Sequence, residues 1–395
     1  MNRSDKQIFG TLFFSIFAAV TGVGIVVPLL PVYAHDLGAS GLYIGMIFGS
    51  FSLSRTFFLP YFGRLSDKKG RKPFIVAGLL GYTLISFAFL FANDIETLIT
   101  IRFVQGIASA MIMPVTQAYV GEITPAGREG FSMGLFNMST FIGLSIGPLI
   151  GGIVNDSFSL NASFACMGFL SFIGFLLSLF FLPPTKAEQA VCRGIKPIAW
   201  KRLLEDRIIA GLFLFRLAYT TCIGIIWCFL PVFADAEFSL SSSHIGILVM
   251  LSVFVSGLIQ TPMGYLADRF NRNMIIVTGG LIVCFATFSF ELANGFWDLF
   301  LANVLFGLGG GIAMPALMAL AVIKGNKTGG MGSVMALITM AHSLGMFAGS
   351  IIAGFMMDIF RLRQAFALGA VIMILGVVLF FVCTYQKKVN PLEQV

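Results

Sequence analysis

Long apolar stretches alternate with short polar ones along the whole chain, and the length of each apolar stretch sets the first expectation. About 20 apolar residues suffice to cross a hydrocarbon core as a helix, because a helix satisfies its backbone polar groups internally. Twelve such runs are predicted, at 8–33, 41–62, 73–92, 97–121, 129–153 and 161–182, then 208–233, 244–263, 274–293, 298–323, 331–356 and 364–384. The polar start MNRSDKQ has no small-residue cleavage site. The first run is therefore expected to be retained, with no soluble domain before or after the spans. The fold class expected is an all-α membrane protein.

Composition agrees with this pattern. The 395 residues are 57% hydrophobic and 11% charged, with mean hydropathy +0.93, far from the average of soluble domains. The net charge of +7 is best read through its placement. Outside the spans, every Lys and Arg except Arg361 and Arg363 falls on the side that holds both termini, which the positive-inside rule assigns to the cytoplasm. The charge thus reports topology and attraction to anionic headgroups, and nucleic acid is not an expected partner. Five of the six cysteines lie in or beside spans and Cys192 lies in a cytoplasmic loop, so no disulfide is expected. No embedded His/Asp/Glu cluster, nucleophile dyad or metal spacing supports an enzyme, and neither cofactor nor metal is expected.

The one long polar connection, PPTKAEQAVCRGIKPIAWKRLLED, divides the chain into residues 1–182, a cytoplasmic linker at 183–207, and residues 208–395. Trp200 beside Lys201 and Arg202 reads as a stretch on the membrane surface. The two parts echo each other. "LPVYA" at 30–34 returns as "LPVFA" at 230–234, "GRLSD" at 63–67 as "GYLAD" at 264–268, and "MP" at 113–114 as "MP" at 314–315. An offset that stays at 200 to 201 and aligns prolines, glycines and an aspartate indicates duplication. Two parallel halves about an axis along the membrane normal are an architecture of alternating-access carriers, with a binding site near the midplane.

The repeat, the central loop and "GRLSDKKGRKP" at 63–73 together resemble a major facilitator superfamily transporter over essentially the whole chain. The charged loop matches the family's loop between spans two and three at Gly63, Leu65, Ser66, Asp67, Lys68, Gly70, Arg71 and Lys72. "RFVQG" is similar to the family's intramembrane arginine motif at Arg102, Gln105 and Gly106. "GLFNMSTFIGLSIGPLIGG", with Gly134, Gly143, Gly147, Pro148, Gly151 and Gly152, resembles the motif of drug:proton antiporters, and "GIVVPLLPVY" is similar to the twelve-span branch of those exporters. The resemblance implies twelve transmembrane helices in two pseudo-symmetric six-helix bundles. It also implies a monomer in the inner membrane that exchanges small organic compounds for protons.

The residues can be read physically beside that resemblance. Gly63 and Gly70 permit a tight turn or a close helix approach, and Asp67 can cap a helix start or pair with Arg71. The bland reading is a topogenic turn. The resemblance implies instead a relay of Asp67 and Arg71 with Glu122 that latches the halves on the cytoplasmic side, with Asp268 and Arg269 as the second copy. Gly143, Gly147 and Gly151 recur on one helix face and suit close packing, with Pro148 bending it. The resemblance implies that this seam seals the halves.

Charges inside the spans are costly and are functional candidates by default. Arg55, Arg102 and Arg216 fall inside spans and no carboxylate does so deeply; Asp36, Glu122, Glu291 and Asp298 lie near span ends. Arg55 is expected to snorkel to the cytoplasmic surface, Arg102 to act in the cavity near any proton carrier, and Arg216 either to meet an anionic substrate group or to be paired structurally. Asp36 and His342 are candidates for proton coupling, since a histidine titrates near neutrality. Gln117, Asn137, Tyr219, Trp227 and Asn303 are candidates for the cavity wall, and methionines suit a pliable cavity. An exporter of an anionic metabolite, siderophore or lipid is a second transporter reading, and a non-transporting receptor a remote one.

Overall fold

The computed structural model describes residues 3–125, 129–183, 205–328 and 331–384, without the side chains of some helix-end residues, Asp67 and Asp268 among them. The expected surface stretch around Trp200 lies outside the described residues. Twelve helices account for nearly all of the rest: α1 Arg3–Asp36, α2 Gly41–Lys69, α3 Lys72–Ala88, α4 Ile95–Ile123, α5 Glu129–Ser157, α6 Leu160–Phe181, α7 Arg207–Phe238, α8 Ser242–Arg269, α9 Arg272–Glu291, α10 Phe296–Thr328, α11 Met331–Ile359 and α12 Leu362–Thr384. All twelve are long and apolar enough to cross a membrane, and no strand occurs among the described residues. Large apolar side chains such as Phe57, Phe91 and Phe180 remain exposed on the outside, the face that lipid covers.

Local chemistry sets the helix ends. Asp94 accepts from Thr97 N at 2.8 Å, Ser159 accepts from Ala162 N at 3.2 Å, and Asp206 accepts from the amides of Ile208 and Ile209, each satisfying donors that a helix start leaves free. One boundary differs from expectation. Helix α2 does not stop before the charged stretch but runs on through "GRLSDKK", so Gly63 lies inside it, with open space where a Cβ would sit. Asp67 is likewise within α2, not at the start of a helix, and α3 begins from Arg71 without a side-chain cap. Gly70 alone makes the turn, at φ 88°, a conformation that side chains disfavour.

Packing repeats in the two halves. Helix α1 packs on α5 and α6, α2 on α4, and α3 on α4 and α6; α7 packs on α11 and α12, α8 on α10, and α9 on α10 and α12. Glycine seams hold the central pairs. A methyl group at Gly147 would lie 2.5 Å from Thr21 O and 2.8 Å from Gly24 Cα, and one at Gly151 2.6 Å from Ile25 O. The second half builds the same seam, with Gly224 facing Met346 O and Gly349, and Gly349 pressed on Thr221 O.

Between the halves, α2 packs on α11 and α5 on α8, with a lesser contact of α1 on α7. The close approaches in these seams cluster at the end opposite the termini, here called the far end. Gly41 sits on Gly354 O, Gly152 on Ser242 O and Gly246 on Pro148 O. Two carboxylates fasten that end. Asp358 of α11 accepts from the amides of Gly41 and Leu42 at 2.6 and 2.9 Å, and Asp156 of α5 accepts from those of Ser242 and Ser243 at 3.0 and 2.7 Å. Each caps the first turn of a helix in the other half, where orphan amides and the helix dipole favour an anion. Helices α4 and α10, by contrast, pack mainly within their own halves.

Candidate functional site

A cavity of about 310 Å³ lies between the halves, lined by α1 to α5 on one side and by α7 and α11 on the other. Its walls are mostly apolar, from Val20, Val23, Phe48, Phe51, Ile112, Met113, Leu144, Trp227 and Met346, with polar groups at Ser52, Arg55, Tyr82, Arg102, Ser109, Thr140, His342, Ser343 and Ser350. Apolar walls with few convergent polar groups are the usual make-up of a small-molecule site.

Arg102 is built into this wall by its neighbours. Gly106 has Ser54 Oγ and Phe51 O of α2 where a Cβ would stand, so α4 lies against α2 and the rings of that helix come within reach. The Arg102 guanidinium carbon then stands 4.6 Å from the Phe51 ring centre and 5.0 Å from that of Phe48, within cation–π range. One turn along, Gln105 accepts from Arg102 Nη1 at 2.7 Å. Arg102 is 5% exposed, and its Nε is buried with no hydrogen-bond partner among the described residues.

Arg55 also lines the cavity, contrary to the snorkelling expected of it. Because α2 continues to Lys69, roughly 20 Å of helix rise separates Arg55 from that end, too far for the side chain to span. Its Nε too is buried without a partner among the described residues. Arg216 differs. It does not line the cavity, but donates to Met314 Sδ at 2.6 Å and to His342 Nδ1 at 3.3 Å, behind the histidine. A guanidinium can only donate, so Nδ1 is the acceptor and the proton of neutral His342 sits on Nε2.

Several expected wall residues lie elsewhere. Of the five, the cavity reaches only Trp227. Tyr219 stacks on Phe306 at 5.8 Å inside the second half, Asn303 is buried and donates to Leu299 O, and Gln117 and Asn137 are half-buried outside the lining. Asp36 is exposed at the far end. The wall groups Tyr82, Ser109 and Thr140 escaped sequence reasoning, since a single hydroxyl in an apolar helix carries no periodic signal. Asp156 and Asp358 did leave one, because "GGIVND" and "AGFMMD" end the corresponding helices of the two halves.

At the terminal end, Arg71 meets the acid named for it. Its Nε and Nη2 donate to Glu122 Oε1 at 3.0 and 2.9 Å and its Nη1 to Ser66 Oγ at 2.7 Å. This pair ties α4 to α2 and α3 within one half and does not bridge the halves. The side chains of Asp67 and Asp268 lie outside the described residues; Arg269 stacks on Tyr265 at 4.2 Å. The α5 glycines are corrected in the same sense. Gly143, Gly147 and Gly151 face α1 of their own half, and only Gly152 and the Pro148 carbonyl meet the other half.

Comparison with known proteins gives one consistent result. A profile of the Major Facilitator Superfamily matches residues 12–234 and 216–395. An uncharacterised MFS-type transporter, MJ1560 of Methanocaldococcus jannaschii, is 30% identical over 94% of this chain and 96% of its own. The quinolone resistance protein NorA of Staphylococcus aureus is 27% identical over 90% of this chain and 91% of its own. A crystal structure of a bacterial homologue of the human lysosomal transporter Spinster, in an inward-facing and occupied conformation, superposes with TM-score 0.84 at 13% identity over 97% of each chain. With profile and full-length relatives in accord, the chain is a multi-pass membrane transporter of the major facilitator superfamily.

Proposed function

We propose that this transporter exports small organic compounds in exchange for protons, by alternating access of the central cavity to the two membrane faces. The observation that carries this reading is the cavity between two matched halves, which Asp156 and Asp358 fasten at the far end. With the termini in the cytoplasm, as the distribution of Lys and Arg favours, this is an inward-facing state, ready to load from the cytoplasm. The likeness to NorA, a quinolone resistance protein, supports export and an organic substrate. Arg71 and Glu122 would then keep the terminal ends of α2, α3 and α4 moving as one body.

Proton exchange is assigned to His342. It is the histidine among the described lining residues, and it links the cavity to the buried donor Arg216. A second proton would go to Nδ1 and would displace the donor Arg216. Protonation would thereby loosen a link between α7 and α11, a two-state element of the kind that couples a local charge to a helix shift. The test is a substrate screen in inverted membrane vesicles with a pH-sensitive dye. Substrate-dependent proton release that His342→Asn abolishes is the expected result. Counterflow without any pH response would remove the proton, and absence of both would remove the export reading.

A further inference from the structure

We infer that the cavity selects organic anions, with the anionic group held between Arg55 and Arg102 and an apolar body lying against the α1, α7 and α11 walls. This names the substrate class of the cavity and rests on the transport reading above. The argument begins with what the two guanidinium groups lack. A guanidinium offers five N–H donors and a full charge, and a charge at membrane depth ordinarily finds an opposite charge. Arg102 uses one donor on Gln105, and no hydrogen bond engages Arg55 among the described residues. No Asp or Glu side chain lines the cavity among the described residues. Two cations therefore share one water-accessible hollow without a protein counterion, and a ligand is the source of charge that remains.

The rest of the wall fits that ligand. Tyr82, Ser109 and Thr140 line the same side, and the Thr140 hydroxyl is buried without a partner, so donors are available for the oxygens of a carboxylate, sulfonate or phosphate. Across the cavity, Val23, Ile223, Trp227 and Met346 present apolar surface beside the polar groups of His342, Ser343 and Ser350, and methionine adapts to varied shapes. A volume of about 310 Å³ stands at the small end of ligand sites. A cationic compound fares worse. It would meet two fixed positive charges, and the rings of Phe48 and Phe51 that could receive it are already occupied by Arg102.

The test uses three probes with one bicyclic body: naphthalene-2-sulfonate, 2-naphthylmethanol and 2-naphthylmethylammonium. Trp227 lines the cavity, so its fluorescence in the purified protein, in phosphatidylcholine nanodiscs, reports occupancy; Trp227→Phe identifies the signal. The sulfonate is expected to bind at least about tenfold tighter than either other probe. Arg55→Gln and Arg102→Gln should each weaken it by about ten- to a hundredfold, the usual worth of charge-assisted hydrogen bonds, while the alcohol binds unchanged. That unchanged binding certifies a folded cavity, and if either variant misfolds the wild-type order of the three probes decides. Equal or tighter binding of the ammonium, or sulfonate binding indifferent to both substitutions, would overturn the inference. Loss of sulfonate binding in phosphatidylglycerol nanodiscs would give the site to lipid headgroups and overturn the assignment to a soluble anion. Failures stay distinguishable in counterflow: uptake of the ammonium alone sinks the anion and spares transport, whereas sulfonate binding without uptake of any probe sinks transport and spares the anion site.

Discussion

The two halves of this transporter share their scaffold and differ in their charge. Seams of glycine join α1 to α5 and α7 to α11, and a terminal aspartate on α5 and on α11 caps a helix of the opposite half. The embedded arginines break that symmetry. Each of the three has a buried Nε without a partner among the described residues, but Arg55 and Arg102 of the first half line the cavity, while Arg216 of the second half lies outside the lining and donates to Met314 and His342. Duplication thus supplies a frame that can rock about the cavity, and departures from duplication supply chemistry. On the function proposed above, the first half holds the ligand and the second senses the proton.

The largest expected effect tests the shared part. Leucine at Gly147 or at Gly349 would drive a side chain into backbone of the facing helix, at Thr21 O and Gly24 Cα in one half and at Thr221 O in the other. Backbone cannot give way as a flexible side chain does, and overpacking costs about 1–3 kcal/mol or more. Both variants should lose folded protein to a similar degree, measured as monodisperse yield and melting midpoint in detergent. A large loss from one and none from the other would show that the seams are not equivalent.

The next effect separates the chemistry. Arg102→Gln should abolish transport while leaving the melting midpoint within a few degrees of wild type, because it removes a charge that no described acid balances. Arg216→Gln should retain ligand binding in the cavity and lose the proton signal, because its donors go to His342 rather than to the hollow. Vesicle transport and Trp227 fluorescence, measured on both variants, check the pair. Loss of binding in Arg216→Gln with normal binding in Arg102→Gln would reverse the roles of the halves.

How far this asymmetry was legible beforehand depends on the kind of signal. The twelve spans, the duplication and the three arginines could be read because each rests on length, repetition or charge, and the Arg71–Glu122 pair was implied by the family resemblance. Facing direction could not. In lipid a helix is apolar on every side, so no polar stripe tells which way Gly147 or Tyr219 points, and small residues pack equally well within a half or between halves. The same reason hid the site of Arg55. The boundary of α2 was misjudged because charged residues end the apolar run at residue 62 but do not end the helix, which continues to Lys69 with Arg64, Leu65, Lys68 and Lys69 as helix formers despite Gly63, Ser66 and Asp67.

A smaller effect addresses the far end. Asp156→Asn and Asp358→Asn each keep the shape and remove the anion from a helix start, where a cap is worth about 0.5–2 kcal/mol. The closed far end should lose population in both variants and most in the double variant. Spin labels at Ser40 and Phe360, exposed and on opposite halves, should then show a longer distance component. Unchanged distances in the double variant would mean that the glycine seams alone hold that end.

The smallest effect lies where the halves carry opposite signs. Helix α4 ends with Glu122, held by Arg71, whereas α10 carries Lys324 near its end, held by Asp206 at 2.8 Å. Burial alone would push the Asp206 carboxyl up, but hydrogen bonds from Lys324 and from the amides of Ile209 and Ile208, with the lysine's charge, outweigh it and hold the group below the ordinary aspartate range. A lowered native value means that stability from this group is complete above the unfolded value of about 4 and is lost as pH falls below it. The pair is partly open to solvent, so its share should stay under about 1 kcal/mol. Melting midpoints taken from pH 7 to pH 3 should fall slightly less in Asp206→Asn than in wild type below pH about 4 and run parallel above it. A divergence above pH 5 would place the pH sensitivity of this end elsewhere than in the Asp206–Lys324 pair.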